Sequence, residues 1–172
     1  MGSRAAAEAL EVFRASVAAL AEIVPGGRGS ASAGEGAGEC DLLRQEADDW
    51  LDTLAESARL QAATAALVVH AAAGFTRATQ AMAPPPASPQ EHTAQEMAVV
   101  AEVACVLTVS EGDASALLAD SHALTSTLPL TLAALQDGSI SWQHARVVVD
   151  ETTGIDAARA AALEAHFLAP DC

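Results

Sequence analysis

Between a Gly-rich segment and a Pro-rich one runs a long stretch, about 41–81, whose pattern fits one helix. Leu43, Ala47, Trp50, Leu54 and Ala58 recur at spacings of three and four, the period of one helical face, while Glu46, Asp48, Asp49, Asp52 and Glu56 crowd the others. Around Leu67 the pattern turns apolar nearly all round, which predicts burial on several sides. No segment alternates apolar and polar residues as a half-buried strand does. The expected fold class is all-α.

Residues 4–24 carry a second stripe, Leu10, Phe13, Val17, Leu20 and Val24, ended by Pro25. The following "GGRGSASAGEGAGE" lacks apolar residues to bury, so 26–39 is expected to be a flexible loop. "APPPASPQEH", 83–92, reads as a stiff exposed linker. Short helices fill 93–168. Thr93 or Ala94 opens one that reaches about Leu107. Ser110 caps the next, with Asp113 at its third position, to about Leu124. Pro129 suits a first turn and Gly138 a stop. Ser141 caps a helix to about Glu151, Gly154 breaks it, and Asp156 caps the last, to about Leu168. The architecture is long N-terminal helices followed by a bundle of short helices with helix-turn-helix-like packing. The domains read as 1–40, a helix and flexible loop, and 41–172, the helical body containing the 83–92 linker.

Composition narrows the function. The chain is 51% hydrophobic with Ala dominant, so its core should form from closely approaching helices. All eight basic residues are Arg, and the net charge of −15 opposes non-specific nucleic-acid binding and anionic membrane surfaces. Cys40, Cys105 and Cys172 are far apart and odd in number, which fits a reducing cytoplasm better than a disulfide framework. The most apolar window, 62–75, is too short to span a bilayer and contains His70, so no membrane partner is expected.

Two segments carry the question of DNA. "EVACVLTVSEGDASALLADS", 102–121, has helix-turn-helix spacing: Ala104 is the small residue of the first helix, Leu107 and Val109 flank the turn, Thr108 stands where Gly is usual, and Ala114 and Leu117 pack the second helix back. That second helix holds Glu111, Asp113 and Asp120 and no basic residue, whereas groove binding needs donors to phosphates and base edges. In "LQDGSISWQHARVVVDE", 135–151, Gly138 should stop a helix, Ile140 should be buried, and Ala145, Val147 and Val148 should supply the buried face. His144 and Arg146 hold the only polar atoms there able to reach phosphate. A packed helix hairpin explains this segment better than a reading head. The five histidines show no metal-ligand spacing, and no catalytic or cofactor motif is visible, so no catalytic residue, metal or cofactor is assigned.

Glu102, Ala104, Leu107, Ser110, Ala114, Leu117, Leu124, "LP" at 128–129, Leu132, Leu135, "DGSIS" at 137–141, "HAR" at 144–146 and "ET" at 151–152 together resemble a helical domain of actinobacteria. That domain is known only as one of unknown function. It commonly precedes an HNH endonuclease module and includes the mycobacterial thirteen-E-twelve repeat proteins. The clear match covers about 96–168, and the 41–81 helix, with Arg59, resembles its N-terminal part. Relatives place several Arg in the 110–121 helix; this chain has none. The chain stops at "LAPDC", where the resemblance would continue, which implies a C-terminally truncated member.

The resemblance implies a non-catalytic accessory domain of an HNH-endonuclease-like protein, positioning or regulating a nuclease, with DNA reached through a C-terminal module missing here. The competing reading is a helical interaction or oligomerisation module with no nucleic-acid role, self-associating through the 4–24 helix. Candidate nucleic-acid contacts are Arg59, His144, Arg146 and Arg159. Whether these and Arg77 form one basic patch separates the two readings.

Overall fold

The computed structural model describes residues 11–18 and 36–168. The described part of α1 is helical over 11–18. It is followed by α2 (Gly36–Met82), α3 (Pro89–Leu107), α4 (Glu111–Ser126), α5 (Pro129–Gln136), α6 (Trp142–Thr152) and α7 (Ala157–Leu168). No strand occurs among the described residues, so the chain is all-α, as its periodicity predicts. Its contacts divide it into two units, 1–45 and 46–172.

In the first unit, Phe13 is half-buried and Val17 exposed. The other stripe residues, Leu10, Leu20 and Val24, lie outside the described residues, as does 26–35 of the expected loop. The end of that loop is corrected: α2 already begins at Gly36.

In the second unit, the helix boundaries follow from caps. Ser110 Oγ accepts from Asp113 N–H at 3.1 Å, and Asp156 Oδ1 accepts from Arg159 N–H at 3.0 Å. Each satisfies a backbone donor that a helix start leaves open. Thr108, at the turn position where Gly is usual, ends α3 at φ 57, the left-handed conformation that favours Gly. The expected linker is shorter than 83–92, because α3 starts at Pro89. Ser88 Oγ accepts from Glu91 N–H at 3.2 Å, and Glu91 Oε2 accepts from Ala87 N–H at 2.7 Å. This is a reciprocal box around a first-turn proline, and it nucleates the helix four residues early.

The main core joins Ala62, Ala66 and Val69 of α2 to Leu124, Leu128, Leu132, Leu135, Ala145, Val149 and Ala160. Leu124, Leu128 and Leu135 are fully buried, and burial of each stabilises the fold by about 1.5–3 kcal/mol. The four alanines admit close backbone approach. A second cluster joins Val103, Ala104 and Ala114 to Phe75, Val100, Leu117 and Leu118, so α3 and α4 meet over their small residues and rest on the latter part of α2.

Candidate functional site

The 135–151 segment folds largely as its residues dictate. Gly138 adopts φ 74 after α5, and a Cβ there would lie 3.0 Å from Arg59 Cα. The glycine therefore provides both the left-handed turn and close approach to α2. Ser141 Oγ accepts from His144 N–H at 3.3 Å and lies 2.9 Å from His144 Nδ1. The cap thus engages the imidazole that was a candidate phosphate contact. Two details differ from expectation. Ile140 is half-buried rather than buried, and Val147 is exposed while Val149 is buried. The buried line of α6 is Ala145, Val149 and Thr152, at spacings of four and three, and Val147 falls off it.

Arg146 holds the most constrained position among the candidates. Its Nε lies 3.3 Å from Oδ2 of Asp120, a buried residue of α4, so the guanidinium clasps α6 to α4. Burial holds the Asp120 carboxyl above its ordinary value. The Arg146 guanidinium and its hydrogen bond pull the other way, and the nearby Asp150 carboxylate adds to the rise. The other two candidate arginines carry carboxylate partners on their own helix or cap: Arg59 pairs with Glu56, and Arg159 with Asp156 at 3.2 Å. Arg77 is exposed and makes no ion pair among the described residues. Three of these four arginines are therefore paired with an acid, Arg59 and Arg159 within their own helix or cap and Arg146 across helices.

A second polar contact escapes sequence reasoning. Glu164, buried on α7, accepts from Thr131 N–H at 2.5 Å. Helix α5 starts from Leu128, whose side chain cannot cap, so α7 supplies the missing acceptor at its positive end. Ser121 Oγ and Thr131 Oγ1 are buried with no hydrogen-bond partner. No sequence signal pairs Thr131 with a residue 33 positions away. An open cleft of about 540 Å³ lies among α2, α3 and α4, lined by Thr76, Gln80, His92, Glu96, Glu102 and Ser115 among others. His92 Nδ1 and Glu96 Oε2 face each other there at 3.5 Å. Among the described residues, no group of three or more His, Cys, Asp or Glu could hold a metal ion. Cys40 and Cys105 are free and exposed. No described helix is long and apolar enough to cross a membrane.

The family model for the domain of unknown function DUF222 matches residues 51–169, well over half of the chain. The chain belongs to the DUF222 family. The match takes in most of α2 and all of α3–α7, so the Arg146–Asp120 clasp and the Glu164 cap both lie within the DUF222 domain. No curated protein and no solved structure matches the chain significantly.

Proposed function

We propose that this DUF222 domain is a non-catalytic accessory domain of a cytoplasmic, HNH-endonuclease-like protein. It positions or regulates the nuclease through protein contacts and leaves DNA to the nuclease module. The resemblance of residues 96–168 to domains that precede HNH modules supports the context. The Arg146–Asp120 clasp carries the protein-contact reading: the best-placed cation of the 135–151 segment is engaged by a buried carboxylate. Phosphate binding would have to compete with that internal partner and with a chain charge of −15.

Titration of a labelled DNA duplex at about 50 mM and 200 mM salt tests this reading. The expected result is no affinity that depends on Arg146. A salt-sensitive affinity abolished by Arg146→Gln in a folded protein would overturn it, and would make Arg59, His144, Arg146 and Arg159 the contacts to map next. An HNH motif in the same or an adjacent reading frame is the expected genomic context.

A further inference from the structure

From Glu46 to Ala58 every residue of α2 is exposed. Trp50, Leu51 and Leu54 are 42%, 62% and 65% exposed, within little more than one turn of helix. With Ala47 and Ala58 they form a stripe that continues along α2 toward Ala62, Ala66 and Val69, which the bundle buries. The bundle therefore covers this face only from about Ala62 onward. Large apolar side chains concentrated on one exposed helical face mark an interaction surface.

Charge selects the occupant. Glu46, Asp48, Asp49, Asp52 and Glu56 lie in the same thirteen residues, with no basic side chain among them. At 3.6 residues per turn, Glu46 and Asp48 border the apolar stripe on either side, and the other three lie behind it. Within these thirteen residues a second copy would bring only carboxylates to those borders, and the arginines that flank them, Arg44 and Arg59, are already paired with Asp41 and Glu56. Residues 4–24 of this chain, with Arg4 and Arg14 against Glu8, Glu11 and Glu22, offer no basic helix either. We infer that the 46–58 face of α2 docks a basic amphipathic helix of another protein, with Leu-like residues on Trp50, Leu51 and Leu54 and Lys or Arg beside Glu46 and Asp48. This rests on the reading that the domain works through protein contacts, and it names the chemistry of that contact.

A labelled peptide of about 18 residues, Leu and Lys in helical amphipathic order, is the probe, compared with the same pattern in Leu and Glu. The full chain should bind the basic peptide in a salt-sensitive manner and ignore the acidic one. Trp50→Ala and Leu54→Ser should each weaken binding at least tenfold, while Val106→Ser, at a still more exposed apolar position on α3, should leave it unchanged. Absence of binding overturns the inference. So does equal binding of both peptides, an equal loss in the Val106 variant, or no loss in the α2 variants. A dimer dissociated by Leu54→Ser in sedimentation equilibrium would assign the face to a second copy and overturn it as well. Arg146-dependent DNA affinity would sink the protein-contact reading without altering the peptide result, so the two failures are distinguishable.

Discussion

Glu164 Oε1 accepts the Thr131 backbone N–H at 2.5 Å inside the bundle, so the last helix caps a helix begun 35 residues earlier. Leu128 at the start of α5 offers no side-chain acceptor. Removing Glu164 leaves a buried donor without a partner, which costs about 1–3 kcal/mol, and opens a cavity besides. Glu164→Ala should therefore lower unfolding stability by more than about 2 kcal/mol. Glu164→Gln, which retains an acceptor oxygen, should lose less. Urea unfolding of both variants checks the order, and equal losses would show that packing rather than the cap matters.

The Arg146–Asp120 clasp predicts a pH signature. Burial raises the Asp120 carboxyl above its ordinary value of 3.8, so the folded protein keeps this proton to a higher pH than the unfolded chain does. Between the two values the native state binds more protons, and stability falls as pH rises through that window. Asp120→Asn removes the group, so its stability relative to wild type should improve as pH rises from about 3 toward neutrality. Unfolding across that range measures the slope; identical slopes in the two proteins would refute the assignment.

Truncating the cation has the opposite dependence. Arg146→Ala leaves the ionised Asp120 buried without its partner and should cost roughly 1–3 kcal/mol near neutral pH. The loss should shrink once Asp120 is protonated. The sequence alone suggests that this change is neutral for stability, because nothing in "QHARVVV" announces a partner at position 120. A loss independent of pH would mean that Arg146 acts through packing of its stem.

Local chemistry was readable and long-range pairing was not. Ser110, Ser141 and Asp156 cap where their spacing predicts, because capping is settled within four residues. The same rule reads "SPQE" at 88–91 as a helix start, yet the prolines before it read as a longer linker. Within "RVVVDE" no composition rule chooses among three consecutive valines. The phase of α6 against Leu124 and Leu135 exposes Val147 and buries Val149. The stripe through Trp50 and Leu54 marks an apolar face, but periodicity cannot say what covers it, and the bundle leaves it exposed. Asp120 and Glu164 look like ordinary surface acids until α6 and α5 are packed beside them.

Two glycines separate turn strain from crowding. Gly138 and Gly154 both have positive φ, 74 and 84. A Cβ at Gly154 would meet nothing within 4 Å, so Gly154→Ala should lose only the left-handed penalty of about 1–2 kcal/mol. A Cβ at Gly138 would stand 3.0 Å from both Cα and Cβ of Arg59, where backbone, not a flexible side-chain tip, must move. Overpacking of that kind adds about 1–3 kcal/mol. Gly138→Ala should therefore be the more damaging by at least about 1 kcal/mol, even though both turns require the same backbone conformation. Arg59→Gly would relieve part of the contact, so the double variant should lose less stability than the two single losses summed, the helix cost of Gly at position 59 cancelling between the two Arg59 variants. A thermodynamic cycle over these four proteins decides it, and strict additivity would mean that the α5–α6 turn does not press on α2 at Arg59.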